Sequence, residues 1–273
     1  FDTGGNTGTI VFGDATADTV GATDGLGALA ITGNLDLNAA ITSATSISVS
    51  GTSNLGANVT TSGTQTYTGA VTLSANNTIT TTNANVSFGS TIDSDGTTRN
   101  LTFNTGTGTV SVTSNVGATN PLGTVTLTQT GGTTFSGTFE AATATLTDTA
   151  DAADITFSGN TTITTLNTAS QAYNLVFNGS SNTITNAVTF TNTGTVTLGN
   201  SSSDSSTFNG GITATAPSGV TLAGTIQTSG DTISIGDGDT AITLAANTTV
   251  DGNTAGDITL AGATNGGYSL TLN

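Results

Sequence analysis

Cys, His, Met, Trp and Lys are all missing from this chain of 273 residues. Without Cys no disulfide can form, so stability has to come from backbone hydrogen bonds and packing. Without Cys or His, the soft-ligand sites used for zinc, copper, iron–sulfur clusters and haem are closed. The single basic side chain, Arg99, stands against 17 acids, for a formal net charge of −16. A phosphate-binding surface needs Lys and Arg to release counterions, which excludes nucleic acid as a partner. No run of roughly 18 or more apolar residues occurs, so the sequence predicts no helical membrane insertion. Residue 1 is Phe and no secretory leader is visible. The sequence therefore reads as a processed or excised piece of something longer.

Charged residues make up 7% of the chain, against about 25% in ordinary soluble domains. Apolar residues at 34%, with 37 Gly, keep it within the globular range. That balance is too apolar and too weakly charged for disorder and predicts a folded core. The dominant pattern is alternation of apolar and small polar residues. It shows in Ile47-Ser48-Val49, Val71-Thr72-Leu73, Val86-Ser87-Phe88, Leu101-Thr102-Phe103, Val125-Thr126-Leu127, Ile155-Thr156-Phe157, Val188-Thr189-Phe190 and Ile258-Thr259-Leu260. A period of two places apolar side chains on one face and hydroxyls on the other, the signature of half-buried strands. Clusters such as Ser94-Asp95-Gly96, Asn209-Gly210-Gly211 and Gly236-Asp237-Gly238 supply the corners. No helical period is sustained, so the chain is all-β.

Internal repetition selects among β architectures. One phrase recurs as Arg99-Asn100-Leu101-Thr102-Phe103-Asn104, Tyr173-Asn174-Leu175-Val176-Phe177-Asn178 and Tyr268-Ser269-Leu270-Thr271-Leu272-Asn273. Another recurs from Thr7, Thr107 and Thr193 as Thr-Gly-Thr followed by alternating residues. Degenerate, unevenly spaced repeats suit a solenoid, whose coils keep inward positions and vary their corners. Phe1-Asp2-Thr3-Gly4 resembles Phe103-Asn104-Thr105-Gly106. Taking positions 1, 103, 177 and 272 as equivalent fits coils of about 19–25 residues and roughly 11–14 turns in one continuous segment, 1–273.

Both ends read as uncapped. The first 13 residues carry only Asp2 and the last 13 carry no charge, with neither Lys nor Pro on either edge strand. Open sheet edges of this kind pair with more of the same structure. The expected assembly edges are Phe1, Ile10 and Phe12 at one end and Tyr268, Leu270 and Leu272 at the other. The expected partner is the chain itself, head to tail along the solenoid axis or as a continuing polypeptide.

Stretches such as Gly69 to Asn83, and Gly106-Thr107-Gly108-Thr109-Val110 running through Val116-Gly117-Ala118-Thr119-Asn120-Pro121-Leu122, carry a family likeness. They resemble the repeat regions of giant bacterial surface proteins, the filamentous-haemagglutinin-like and autotransporter-like adhesins. The likeness spans nearly the whole chain and rests on low-complexity repeats. It implies a right-handed parallel β-solenoid (β-helix), secreted to the bacterial surface as a stalk or fibre.

Chemistry has little to work with. Glycan-cleaving β-helices need paired carboxylates, often beside a cation. The pairs present are Asp93/Asp95 and Asp237/Asp239, with Glu140 the sole Glu. These sit in turn-like sequence, so no catalytic residue and no enzyme activity is expected. The same four Asp residues are weak calcium candidates, since calcium takes oxygen ligands at such corners; no other cofactor is implied. Repeated Thr-x-Thr reads as a polar β-former, because ice binding would require near-identical coil lengths. The glycosylation sequons Asn58-Val59-Thr60 and Asn247-Thr248-Thr249 are expected by chance in an Asn/Thr-rich chain. Phe12, Phe88, Phe103, Phe157, Phe177 and Phe190 fall at inward phase, while Tyr67, Tyr173 and Tyr268 offer rings for surface stacking.

The resulting expectation is a structural subunit or segment of an extracellular bacterial filament, stalk or sheath, built by end-to-end solenoid stacking. The alternative is an adhesin passenger that binds a host or glycan receptor. A glycan-active enzyme is a distant third.

Overall fold

The computed structural model describes residues 1–3, 7–14 and 18–273. Gly4, which closes the Phe1 phrase, lies outside them. The described residues form strands of two to eleven residues joined by turns, with no helix. Every strand pairing within a unit is parallel, and the sheets are stacked, not closed into a barrel. Period-two alternation has thus become coils, because a parallel partner must be reached by going once around. The chain packs as two compact units, Phe1–Gly137 and Thr138–Asn273.

In the first unit the chain winds through three ladders in order. Face one holds Thr9–Phe12, Asn34–Leu37, Ser53–Leu55, Val71–Leu73 and Ile92–Ser94. Face two holds Thr19–Val20, the start of Ala40–Val49, Val59–Thr61, Asn77–Thr81, Leu101–Asn104 and Leu122–Gln129. Face three holds Leu26–Ile31, the end of Ala40–Val49, Gln65–Tyr67, Val86–Phe88, Val110–Val112 and Thr133–Phe135.

The second unit repeats the plan. One face stacks the starts of Phe139–Leu146 and Thr161–Thr168, then Ser181–Ile184, Ser205–Phe208, the ends of Gly219–Thr228 and Ala241–Asp251, and Leu270–Leu272. Another carries Val188–Thr189, Ile212–Ala214, Ile233–Ile235 and Ile258–Leu260. The third stacks Asp154–Phe157, Asn174–Phe177, Thr195–Leu198, the starts of Gly219–Thr228 and Ala241–Asp251, and Ala263–Asn265. Together the units hold about 12 coils.

Coil length is uneven. Leu35 pairs with Ser53, 18 residues on, whereas Leu101 pairs with Val125, 24 on, and Ile233 with Ile258, 25 on. The shortest coils undercut the expected 19 because their corners are tight: from Ser53 to Val71, also 18 residues on, three-residue strands are joined by corners of three. The phase assigned to the repeated phrase does not survive. Phe103 lies on face two over Ile79, while Asp2, beside Phe1, bridges Thr32 just past a face-three strand. Phe177 pairs with Leu198 and Leu272 with Val250, on different faces of the second unit. An apolar–polar–apolar triplet specifies which side chains point inward, and any face of the coil satisfies it.

Inward residues stack into columns. One runs Val49, Tyr67, Phe88, Val112 and Phe135; another runs Phe157, Phe177, Leu198, Leu222 and Leu244. Tyr67 and Phe88 stack at 5.0 Å and 10°, Phe157 and Phe177 at 5.0 Å and 6°. Burying each such ring contributes about 1.5–3 kcal/mol. Phe88, Phe103, Phe157, Phe177 and Phe190 are buried as expected, and so are Phe135, Phe139 and Phe208. Tyr67 and Tyr173 are wholly buried, which corrects their reading as surface rings; only Tyr268 of the three is exposed. Their hydroxyls are satisfied inside, Tyr67 donating to Gln65 Oε1 and Tyr173 to the Leu146 carbonyl.

Candidate functional site

The expected assembly edges lie on coils that have a neighbour on one side only among the described residues. Ile10 pairs with Leu35 and Phe12 with Leu37, and both are half-buried. Phe1 packs edge-on against Phe12 at 5.6 Å and is 67% exposed. At the other edge Leu270 pairs with Thr248 and Leu272 with Val250; Tyr268 and Leu272 are 52% and 54% exposed. Two apolar residues missed from sequence join the first group, Val11 and Leu26. Val11 was legible: Ile10-Val11-Phe12 puts an apolar residue at the outward phase of a strand.

Each corner Asp is engaged in closing a turn. Asp93 Oδ1 accepts the amides of Thr119 and Asn120 one coil on, at 2.9 and 3.2 Å. Asp95 holds Arg99 through both oxygens, at 2.9 and 2.7 Å. The Arg99 guanidinium keeps the Asp95 carboxyl below the usual carboxylate range. Asp237 Oδ1 accepts the Asp239 amide and the Thr240 amide and hydroxyl, and these bonds lower its pKa. Asp239 contributes its backbone N–H to that turn. Glu140 faces outward on Phe139–Leu146 and pairs with Thr162. Among the described residues, no three of His, Cys, Asp and Glu converge as a metal-ligand set.

A recurring contact that sequence reasoning overlooked involves Asn. At eight positions an Asn immediately precedes an inward residue, and its side-chain oxygen accepts the backbone N–H of its counterpart in the next coil. The pairs in the first unit are Asn34 with Thr52, Asn58 with Thr78, Asn76 with Asn100, Asn85 with Thr109 and Asn100 with Thr124, at 2.7–2.9 Å. In the second unit they are Asn160 with Ser181, Asn174 with Thr195 and Asn247 with Ser269, at 2.9–3.2 Å. Each of these amides sits one position ahead of the ladder with the preceding coil, and the carboxamide satisfies it. Inward corner Asn residues serve the opposite need: Asn77 Nδ2 donates to the carbonyls of Leu55 and Ala75, and Asn182 Nδ2 to that of Gly179.

The outward Asn also accounts for six of the eight sequons, Asn178 and Asn200 being the exceptions. An Asn staple, an inward residue and an outward Ser or Thr spell Asn-x-Ser/Thr at Asn58, Asn76, Asn85, Asn100, Asn160 and Asn247. These six follow from coil geometry, not from chance. The signal in the sequence was an Asn one residue ahead of an inward position, as in Asn85-Val86-Ser87-Phe88 and Asn100-Leu101-Thr102-Phe103.

One shallow groove opens on face one of the first unit, lined by Thr9, Asn34, Asp36, Thr52, Asn54 and Thr72 among others. Across it Asn54 Nδ2 donates to Asp36 Oδ1 at 2.8 Å.

Comparison with known proteins finds no matching family model, no matching curated sequence and no matching solved structure. The functional reading therefore rests on the coils, their edges and their staples, and on the repeat character of the sequence.

Proposed function

We propose that this chain is a load-bearing segment or subunit of an extracellular bacterial filament, stalk or sheath, in which solenoid coils stack end to end. The observation that carries the reading is where exposed apolar bulk lies. Among the described residues, the large exposed apolar side chains are Phe1, Val11, Leu26, Tyr268 and Leu272, all on the first or last coil. A solvated face has no use for them, and a further parallel coil would cover them and pair the edge backbone. The interior columns show what such an added coil would look like, since each coil already rests on another in this way. Likeness to the repeat regions of surface adhesins agrees with this role. The work is mechanical, with the carboxylates acting as turn closers and solubilising charge and the chain as its own partner.

Electron imaging of native material, together with intact mass under denaturing conditions, tests the reading. Filaments that dissolve into 26.5 kDa chains indicate a polymerising subunit. Filaments of one far larger polypeptide indicate a covalent array. Isolated short monomers overturn it.

A second reading, an adhesin passenger, draws on the groove over Asp36 and Asn54. A carboxylate and a carboxamide held side by side present the donors and acceptors that a polyhydroxylated ligand requires. Binding of neutral glycans that is lost in Asp36→Ala would favour this reading.

A further inference from the structure

Three Asn-Gly steps occur in the second unit: Asn178-Gly179, Asn209-Gly210 and Asn265-Gly266. Glycine after Asn leaves the amide nitrogen unshielded, so all three share the same local chemistry. Their surroundings differ sharply. Asn178 follows an interior strand and donates its N–H to the Phe157 carbonyl at 2.8 Å. Gly179 is buried so closely on Gly159 that an added Cβ would stand 2.3 Å from the Gly159 carbonyl oxygen. Asn209 donates its N–H to the Ile184 carbonyl, and its Oδ1 accepts the Ser229 hydroxyl at 3.0 Å. Gly210 sits where a Cβ would be 2.3 Å from the Ala187 nitrogen. Both steps lie between stacked coils.

Asn265 ends the exposed strand Ala263–Asn265, which pairs with Ala241–Asp251. Its Nδ2 makes only a long 3.4 Å bond to the Ala263 carbonyl. Gly266, at φ +136°, and Gly267 are exposed; a Cβ on Gly266 would stand 2.7 Å from the Leu244 carbonyl oxygen on one side only, and nothing lies within 4 Å of a Cβ built on Gly267.

We infer that Asn265-Gly266 is a self-modification site, where the chain deamidates spontaneously while the coil edge is uncovered. The Gly266 nitrogen attacks Asn265 Cγ. The Cγ–Nδ2 bond breaks, and ammonia leaves with the proton of the attacking amide. Water then opens the resulting five-membered imide at either carbonyl, giving Asp or iso-Asp. Iso-Asp lengthens the backbone of the edge strand by one methylene and adds a negative charge to it. The inference does not depend on the filament reading, since it concerns the free coil.

The test incubates the full 273-residue chain, shown to be monomeric by sedimentation, in mildly alkaline buffer. After denaturation, cleavage ahead of Asp places the three Asn residues on separate peptides, beginning at Asp154, Asp204 and Asp257. Mass spectrometry and enzymatic iso-Asp methylation read each conversion. Asn265 is expected to convert at least about tenfold faster than Asn178 or Asn209, because the interior steps must first open locally. In urea the three rates should converge, and Asn265→Gln should remove the signal from the last peptide. Equal rates in the folded chain, or fastest conversion at Asn178 or Asn209, would overturn the inference. If filaments form, slowing of Asn265 within them reports edge burial separately.

Discussion

The side-chain oxygen of Asn100 accepts the backbone N–H of Thr124, its counterpart one coil on, at 2.7 Å. Asn100 in turn gives its own backbone N–H to Asn76 Oδ1 at 2.9 Å, so three coils are stapled in series along one corner. Asn100→Ala removes the acceptor from a corner amide, and the expected loss is about 0.5–1.5 kcal/mol. Asn100→Asp keeps the oxygen and should retain most of the stability. Amide exchange at Thr124 is the direct measurement: it should quicken in the Ala variant and stay slow in the Asp variant.

The same staple guards the one tryptic bond, Arg99–Asn100. Its nitrogen is held by Asn76, and the Arg99 guanidinium is held by Asp95. Native protein should resist trypsin although Arg99 is partly exposed. Asn76→Ala frees the scissile amide and should speed cleavage several-fold without unfolding the chain. Timed digestion followed by gel analysis decides it, and equal resistance in the variant would count against the staple.

These two predictions also mark where sequence reading reached and where it stopped. Val86-Ser87-Phe88 and Ile155-Thr156-Phe157 declared their strands and inward sides, because alternation is a local property. Whether Phe177 and Leu272 share a face depends on how many residues each intervening corner uses, and corners here vary freely. Tyr67 and Tyr173 carry hydroxyls that look suited to the surface, yet interior acceptors at Gln65 and Leu146 receive them. Asn100 and Asn174 appeared in the repeated phrase itself, but their role needs the next coil, which the sequence does not display. Phe12 and Leu270 were named as edge candidates from the uncharged ends of the sequence; the exposure of Leu26 was not legible there, since exposure within a strand depends on its neighbours.

Burial raises the phenol of Tyr67 far above its ordinary value of 10.0, and that of Tyr173 is pushed up to about 12. Each phenol therefore ionises more readily in the unfolded chain. The stability this contributes is complete below pH 10.0 and is lost as pH rises towards the folded value, about 12 for Tyr173. Phenolate absorbance should lag behind a normal titration and then jump on alkaline unfolding. Tyr67→Phe deprives Gln65 Oε1 of its donor at a cost of about 1–3 kcal/mol, measurable by denaturant melts.

Phe157 lies between Phe139, edge-on at 4.9 Å, and Phe177, stacked at 5.0 Å. Phe157→Ala should destabilise the second unit by about 3–5 kcal/mol through the cavity it leaves. Phe12→Ala, at a half-buried edge, should cost clearly less. Comparable losses at the two sites would mean that the edge coil is packed as an interior one.

Much of the variation in coil length is spent at corners, and the ladders slip only at single steps such as Phe103/Asn104 and Leu222/Gly224. At Gly96, between Asp95 and Thr97, nothing lies within 4 Å of a built Cβ, and the Asp95–Arg99 pair spans the bulge from outside. Lengthening an exposed loop costs little entropy. A foreign epitope spliced at that point would stand out as a blister on an undisturbed coil, which makes this corner a natural place to graft cargo for display.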